Sequence, residues 1–359
     1  MLIIDRHKIL KSRGVVYMFN EELGSLLGDI FGEDIKPTEM SSELNGKVIG
    51  IYGSNGSGKT KVVSRLVDNV IFLSCENGLS GTTGCMQIKI KSWSGFISAV
   101  KKLENKKLVT QLEEGKQIAV AIDGYENLAK YCEDYICSQE GVDAIGDGNG
   151  GYGLWKEYLN ELNKQLTKLF NIGYCVVIIT HPKEVKNKKG EVVRIDLNLD
   201  SRAKKVLCDN ADIVAYIENN GVDENGKLIK SSAYFVESED FFARCRYDHM
   251  QPMLKEFTAE NFRKAIDEAI KTQINDEGAE DHTALEIKEM FEEKELTHAE
   301  LVEEIKNIFV NNIADNEGLE EKYAEIIETH LGEILVSETN HKHDEALKCI
   351  LNDLRELVC

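Results

Sequence analysis

Short apolar runs alternate with longer amphipathic stretches between residues 47 and 270 of this 359-residue chain. Five runs, rich in Val, Ile and Ala, span residues 48–52, 70–75, 118–122, 174–180 and 213–217. Stretches with helical spacing of apolar residues lie between them, at residues 94–103, 126–139, 154–170 and 201–207. Buried parallel strands joined by crossover helices produce this alternation. The pattern therefore predicts an α/β fold with a mostly parallel central sheet.

The pattern changes after residue 217. Gly221 and Gly226 interrupt the chain, and two short runs follow at residues 232–236 and 241–247. Short runs separated by glycines are typical of antiparallel strands, so we expect the sheet to end in them. An amphipathic stretch at residues 258–269 predicts a helix that closes this core.

The C-terminal part of the chain is acidic, poor in glycine and helical in pattern. Residues 271–359 contain 8 Lys and Arg against 24 Asp and Glu, and so carry −16 of the formal net charge of −20. Thr283 with Glu286, and Thr297 with Glu300, have the capping-box spacing that begins helices. This part is predicted to form about four helices. Its acidic surface is either a solvated face or a surface that binds a protein partner or repels nucleic acid.

Three parts of the chain are therefore predicted. Residues 1–45 form an N-terminal extension, which fits a strand at 1–10 and a short helix at 21–31; residues 46–272 form the α/β core; residues 275–359 form an acidic helical domain. No apolar stretch approaches the roughly 18 residues of a membrane span, and no signal-peptide pattern stands near the first residue. We expect a cytoplasmic protein without membrane contact.

A phosphate-binding loop of the form G-x-x-x-x-G-K-[ST] directly follows the first apolar run. Its glycines let backbone N–H groups point at phosphate oxygens, its lysine reaches the β- and γ-phosphates, and its hydroxyl binds Mg²⁺. The candidate nucleotide-binding residues are Gly53, Ser54, Asn55, Gly56, Ser57, Gly58, Lys59 and Thr60. The guanine-recognition motif N-K-x-D is not matched at residues 187–190, which end in Gly190. We therefore expect ATP and Mg²⁺ as ligands, with a helix at residues 61–68.

Two further carboxylates are needed for hydrolysis of a triphosphate: one for the metal and one that orients or deprotonates water. Asp123 ends the buried run at 118–122 and is the expected metal ligand, together with Thr60. Glu76 and Glu126 compete as catalytic base. We favour Glu76, which ends the run at 70–75, a strand expected beside the first one; capping of a turn is its structural alternative.

Thr180 and His181 stand where the run at 174–180 opens towards the nucleotide. Polar groups at such a strand end are placed to sense a γ-phosphate and to relay its presence to the loop that follows. Thr180 is thus a candidate nucleotide contact, and His181 a candidate catalytic group. The alternative is a turn hydroxyl and an exposed imidazole.

Together with the loop, Glu76, Asp123 and the Thr180–His181 tip, four segments resemble the RecA-like P-loop ATPase core: residues 72–79, 121–128, 152–155 and 178–181. More narrowly, they resemble phage-encoded ATP-binding proteins that include single-strand annealing recombinases. The resemblance implies ATP hydrolysis in a phage-infected or prophage-carrying bacterial cell. It would make Lys59 and Thr60 the phosphate and magnesium residues, Asp123 the metal carboxylate and Glu76 the base. His181 stands where that family often has an amide side chain.

The resemblance also implies binding of single-stranded DNA through two loops. The first, residues 138–153, holds five glycines near its end and a net negative charge, so a flexible connector is its alternative reading. The second, residues 181–205, is a basic island in an acidic protein. Its basic residues are Lys183, Lys186, Lys188, Lys189, Arg194, Arg202, Lys204 and Lys205. Lysines along a phosphate backbone give salt-dependent binding; the alternative is a basic hairpin without a ligand.

RecA-like ATPases work as rings or filaments in which a neighbouring copy completes the site with a cation. The resemblance would place that cation at Arg244 or Arg246, which alternate on a late strand. Surface arginines on an edge strand are the alternative. The leading hypothesis is an oligomeric ATPase that acts on single-stranded DNA in phage-type recombination or annealing. The alternative hypothesis is an ATP-dependent switch without DNA binding, whose acidic helical part docks a protein partner.

Overall fold

The computed structural model describes residues 9–12, 15–18, 26, 28, 39–291, 296–314 and 316–358. The expected strand at 1–10 and helix at 21–31 lie mostly outside these residues. The chain divides into two compact units, Met1–Met290 and Phe291–Cys359. The division thus falls C-terminal of the boundary near residue 275 that the sequence suggests.

Thirteen strands lie in the described part of the first unit. They are β1 (Ile9–Ser12), β2 (Val15–Met18), β3 (Val48–Gly53), β4 (Asn69–Ser74), β5 (Met86–Lys89), β6 (Ile118–Asp123), β7 (Cys175–Thr180), β8 (Pro182–Lys186), β9 (Val192–Leu197), β10 (Ile213–Glu218), β11 (Ser232–Tyr234), β12 (Arg244–Cys245) and β13 (Met253–Leu254). The helices are α1 (Lys59–Val63), α2 (Trp93–Leu103), α3 (Lys106–Glu113), α4 (Tyr125–Glu140), α5 (Trp155–Asn171), α6 (Ser201–Asn210), α7 (Ala259–Glu277) and α8 (Ala284–Phe291).

The central sheet has the strand order β13-β11-β10-β3-β7-β6-β4-β5, with β12 also paired to β10. Strands β10, β3, β7, β6, β4 and β5 pair in parallel, whereas β11 and β12 pair antiparallel with β10. The predicted mostly parallel sheet with antiparallel strands at one edge is confirmed. One expectation is wrong: β4 does not lie beside β3, because β7 and β6 stand between them.

Both faces of the sheet are covered, which explains why every residue of β3, β6 and β7 is buried. Alternate residues of β3 enter different clusters: Val48 and Tyr52 pack with α2, α4, α5 and α6, whereas Ile49 and Ile51 pack with α1 and α7. Continuous apolar runs are the sequence signature of strands buried on both faces. These three strands therefore follow the predicted bounds within one residue.

Two helices differ in length from the prediction. Helix α1 ends at Val63 instead of residue 68. The next turns are closed by hydrogen bonds between residues three apart, from the Arg65 N–H to the Val62 carbonyl and from the Leu66 N–H to the Val63 carbonyl. Helix α7 continues to Glu277, where Gly278 ends it in a left-handed conformation with φ of 65°.

The second unit is helical, as predicted, with α9 (His298–Ile308), α10 (Glu317–Leu331) and α11 (Asp344–Val358). The predicted capping box of Thr297 and Glu300 is present at the start of α9. Leu301, Ile305, Leu347 and Leu351 are among its buried core residues. Within the described ranges of both units, no helix combines the length and apolar character needed to cross a bilayer.

Candidate nucleotide-binding site

The phosphate loop begins where β3 ends, and two of its features require glycine. A methyl group on Gly53 would lie 2.2 Å from the carbonyl oxygen of Ile217 on the neighbouring strand β10. Gly56 and Gly58 have φ values of 78° and 84°, a region that side chains disfavour. The chain then turns into α1 at Lys59, where the first N–H groups of a helix lack acceptors within the helix. The backbone thus presents donors where a phosphate group would lie.

Lys59 lies inside the curve of this loop and is only 7% exposed. Its Nζ donates to the carbonyl oxygens of Gly53 at 2.5 Å and Ser54 at 2.9 Å. Burial lowers the pKa of the Lys59 ammonium, while the carboxylates of Asp123 and Glu76 oppose that shift. A polyphosphate would take over these donors from the loop carbonyls and would compensate the buried charge.

Asp123, at the end of β6, is fully buried, and no described residue donates a hydrogen bond to either of its carboxylate oxygens. Burial and the nearby charge of Glu76, opposed by Lys59, together raise the pKa of Asp123 to about 6. A buried carboxylate without a partner is costly and calls for an explanation. The oxygens suit Mg²⁺, a cation that prefers carboxylate ligands and keeps several waters.

The second predicted ligand of Mg²⁺ is Thr60, the second residue of α1, which is half-buried. A threonine hydroxyl of the loop and a strand-end aspartate are the two protein groups that hold Mg²⁺ in P-loop enzymes. The unpartnered carboxylate of Asp123 is compatible with Mg²⁺, and the assignment of Thr60 and Asp123 as its ligands stays a prediction. In the described residues there is no group of three His, Cys, Asp or Glu side chains that could form a dedicated metal cage.

Glu76 lies next to Asp123 although its strand is not beside β3. Strand β4 pairs with β6 so that Ser74 is opposite Asp123, and Glu76 follows shortly after. A methyl group on Gly78 would lie 3.0 Å from Asp123 Oδ2 and 3.4 Å from Glu76 Oε1, so both carboxylates face the same point. The described residues offer no hydrogen-bond donor to the half-buried Glu76 carboxylate. The group is therefore available for a water molecule.

Glu126, the second residue of α4, is engaged differently. Its carboxylate accepts a hydrogen bond from Thr180 Oγ1 at 2.8 Å and contacts His181 Nδ1. Burial alone would raise the pKa of Glu126, but the hydrogen bonds from His181, its own backbone and Thr180 hold it below the usual value. The hydrogen bond between Glu126 and His181 raises the pKa of His181. Glu126 thus links the tip of β7 to the start of α4.

This link was not visible in the sequence. Thr180 and His181 were expected to sense the γ-phosphate and to relay its presence to the loop that follows. The charges of Glu76 and Lys59 both contribute to the pKa of His181. The side chains of Thr180 and His181, however, are bonded to Glu126, and Thr180 is fully buried. No local pattern relates residue 126 to residues 180 and 181, since the contact arises only when β6 and β7 pair.

Arg244 and Arg246, the two candidates for the cation that completes a neighbouring copy's site, lie near the end of β10 that is remote from the phosphate loop. Strand β12 pairs Arg244 with Val214, near the amino end of β10, whereas the phosphate loop meets its carboxyl end at Ile217. The Arg244 guanidinium donates to the Cys208 carbonyl oxygen at 2.5 Å. Arg246, just past the end of β12, donates to the Asp209 carbonyl oxygen at 2.6 Å. Both are thus partnered within the chain, and a role in a neighbouring copy's site stays a prediction.

The second predicted DNA loop, residues 181–205, contains a two-stranded hairpin formed by β8 and β9, which starts directly after His181, and the loop ends within α6. Most of its basic side chains have partners in the chain. Lys183 donates to the Leu199 carbonyl oxygen, Lys186 pairs with Glu184, Arg194 with Glu237, Lys204 with Asp196 and Lys205 with Asp209, and Arg202 stacks on Trp155. For Lys188 and Lys189, at the turn, no acidic partner occurs among the described residues.

The first predicted DNA loop contains two short segments of regular structure. Residues 145–147 and 149–151 form short 3₁₀ turns, and Gly148 packs so closely on Leu154 that a methyl group there would lie 2.4 Å from Leu154 Cγ. Tyr152 is 87% exposed. The loop thus displays one large aromatic side chain to solvent.

Comparison with known proteins identifies the family. The family described as AAA domain matches residues 45–247, more than half of the chain. The chain belongs to the AAA domain family. A relative of this AAA-domain protein is the SPbeta prophage-derived uncharacterized protein YorG of Bacillus subtilis (strain 168), 39% identical over 92% of this chain and 98% of the relative.

Solved structures were also compared with this AAA-domain protein. A prototypical ATPase from the type III secretion system of pathogenic bacteria aligns with 88% of the chain and 80% of its own length, at 11% identity and a TM-score of 0.33. The phosphate loop and the largely parallel sheet are those of a P-loop NTPase fold.

The buried charge of Asp123 leads to a prediction about stability. Because the pKa of Asp123 is raised from 3.8 to about 6 in the folded AAA-domain protein, its ionised form destabilises the fold as pH rises through this range. We expect Asp123→Asn, without nucleotide or metal, to increase the free energy of unfolding at pH 8 by about 1–3 kcal/mol. The same variant should lose Mg²⁺-dependent nucleotide binding.

Denaturant unfolding at pH 5 and pH 8 measures this effect. The exposed Asp68 offers a matched control, since Asp68→Asn removes a carboxylate that water already solvates. Equal stability changes in the two variants, or a loss of stability in Asp123→Asn at pH 8, would contradict the account of Asp123.

Proposed function

We propose that this AAA-domain protein binds ATP with Mg²⁺ and hydrolyses it. The observation that carries the proposal is the buried, unpartnered carboxylate of Asp123 beside Lys59 and Glu76, at the mouth of a complete phosphate loop. An unpaired buried acid destabilises the free protein, and a magnesium-bound triphosphate is the ligand that would compensate it.

The chain's own residues divide the work. Lys59 and the N–H groups of the loop neutralise charge on the β- and γ-phosphates, and Thr60 and Asp123 would hold Mg²⁺, which supplies further charge neutralisation. Glu76 orients a water molecule and accepts its proton as the water oxygen attacks the γ-phosphorus and the bond to the bridging oxygen breaks. Glu126 holds Thr180 and His181 in place at the tip of β7.

We further propose that hydrolysis is coupled to single-stranded DNA in an oligomer, as in RecA-like proteins of phage recombination or annealing. The hairpin of β8 and β9 supports this, because it continues directly from His181 at the nucleotide site and carries Lys188 and Lys189 at its turn. The relative from a prophage supports a phage setting.

A second function is favoured by the internal pairing of the basic residues. Five of the eight cations counted in this segment already bond to the chain's own carboxylates or carbonyl oxygens. Few positive charges are left in this segment to bind the phosphates of DNA. The alternative function is an ATP-dependent switch without DNA binding, whose acidic second unit docks a protein partner. Electrostatic binding of DNA needs several cations that can release counterions.

One experiment separates these functions: steady-state ATP turnover with and without single-stranded DNA, at about 50 mM and about 200 mM salt. DNA-acting function predicts stimulation at low salt that fades at the higher salt. ATP turnover that DNA does not change at either salt concentration would favour the switch. Absence of ATP turnover under all conditions would contradict both functions.

The hairpin turn can be tested separately. We expect replacement of Lys186, Lys188 and Lys189 together by alanine to weaken single-stranded DNA binding. The slope of log binding constant against log salt concentration should become shallower by about 2, since each phosphate contact on a single strand contributes about 0.7 to that slope. Fluorescence anisotropy over a salt series measures both.

Three exposed lysines elsewhere in the first unit, Lys101, Lys102 and Lys106, provide a control with the same change of net charge. Their replacement should leave DNA affinity nearly unchanged. Equal losses in the two triple variants would mean that net charge, and not the hairpin, governs binding. Basal turnover should be the same in both.

A further inference from the structure

A second hairpin, residues 219–231, follows β10 and begins against the phosphate loop. A methyl group on Gly56 would lie 3.8 Å from Asn219 Nδ2, and Gly53 contacts the carbonyl oxygen of Ile217 two residues earlier. The start of this hairpin is therefore continuous with the wall of the loop that holds phosphate.

The side chain of Asn219 has a defined orientation. The Gly221 N–H donates to Asn219 Oδ1 at 2.9 Å, which identifies that atom as the oxygen and directs the amide nitrogen the other way, to Gly56. No described residue accepts a hydrogen bond from this nitrogen. A turn of this kind positions an amide donor at little cost in side-chain entropy.

The hairpin is well formed yet carries exposed apolar side chains. Val222 and Leu228 pair across it, so that their side chains share one face, and they are 60% and 69% exposed. Asp223 closes the turn by accepting from the backbone N–H groups of Asn225 and Lys227. Apolar side chains and a small number of polar groups that fix orientation are the groups that small-molecule sites use.

We propose that the hairpin binds the nucleoside of the triphosphate whose phosphates lie in the loop. Asn219 Nδ2 donates to the nucleoside, and Val222 and Leu228 cover its apolar faces. This rests on the proposed binding of ATP and adds the group that distinguishes a nucleotide from a bare polyphosphate. The acidic residue Glu218 bonds to Tyr234 and is thereby turned to the neighbouring strand β11.

The test compares the binding of Mg²⁺–ATP and of Mg²⁺–tripolyphosphate by isothermal titration calorimetry. Asn219→Ser keeps an oxygen for the Gly221 N–H but removes the amide donor, and we expect it to weaken ATP about tenfold and tripolyphosphate less than twofold. The double variant Val222→Ser, Leu228→Ser should likewise weaken the binding of ATP more than the binding of tripolyphosphate. Asn225→Ser, at the turn of the hairpin, and Val236→Ser, an exposed valine beyond β11, are the matched controls.

The outcomes separate this inference from the proposed function. Wild-type protein that binds ATP while all hairpin variants bind it equally well overturns the inference alone. Variants that lose ATP and tripolyphosphate to the same extent also overturn it, because the hairpin would then act on the phosphates or on the fold. Wild-type protein that binds neither ligand overturns the proposed function and the inference together.

Discussion

Lys59→Ala is expected to lower ATP turnover by at least about 10²–10³-fold and to abolish measurable ATP binding, because it removes the buried cation that the proposed mechanism assigns to the β- and γ-phosphates. In the free protein the same ammonium holds the carbonyl oxygens of Gly53 and Ser54. Phosphate release and nucleotide titration measure the two effects.

Lys61→Ala is the matched control, since Lys61 lies two residues away on the same short helix and is exposed. It should retain turnover within about twofold, as most exposed substitutions change little. Thermal unfolding of both variants shows whether the fold survives. A folded Lys59→Ala protein with normal turnover would remove the phosphate loop from the mechanism.

Glu76→Gln is expected to bind ATP normally and to hydrolyse it about 10²–10⁴-fold more slowly, because glutamine cannot accept the proton of the attacking water. The geometry favours Glu76, whose carboxylate faces the same point as Asp123 and has no described hydrogen-bond donor. Single-turnover measurements at saturating ATP separate cleavage from binding.

Glu126→Gln distinguishes the two candidate bases. Glu126 is hydrogen-bonded by Thr180 and contacts His181, so its amide variant should lower the pKa of His181 and reduce turnover less than Glu76→Gln does. The His181 titration can be followed by NMR. If Glu126→Gln eliminates cleavage while Glu76→Gln cleaves normally, the base is Glu126.

Much of the fold could be predicted from the sequence, because its central strands are buried on both faces. The apolar runs of β3, β6 and β7 are continuous, and they end at Gly53, Asp123 and Thr180. Elements without such a signal were missed. Every residue of β5 is exposed, and α3 buries none of its side chains.

The order of strands could not be predicted in the same way. Local patterns identify β4 as a strand but do not say which strand it pairs with, and its expected place beside β3 is wrong. Glu76 and Asp123 nonetheless lie close together, because the carboxyl ends of parallel strands meet at one edge of the sheet. Glu76 therefore reaches Asp123 through β6.

Contacts between side chains from distant segments lay beyond the sequence. The bonds of Glu126 with Thr180 and His181, and the approach of Asn219 to Gly56, depend on strand pairing. The pairing of the basic residues likewise depends on tertiary partners such as Glu237 for Arg194. Composition predicted a positive island, whereas the folded chain neutralises much of it.

The most direct measurement for the central claim is phosphate release from ATP by the wild-type protein, with Mg²⁺ and with the metal removed by a chelator. The account predicts release that requires Mg²⁺, stops when the metal is removed and returns when it is restored, since Thr60 and the buried, unpartnered carboxylate of Asp123 are the proposed ligands of that ion. A folded protein that neither binds ATP nor releases phosphate in the presence of Mg²⁺ would contradict it.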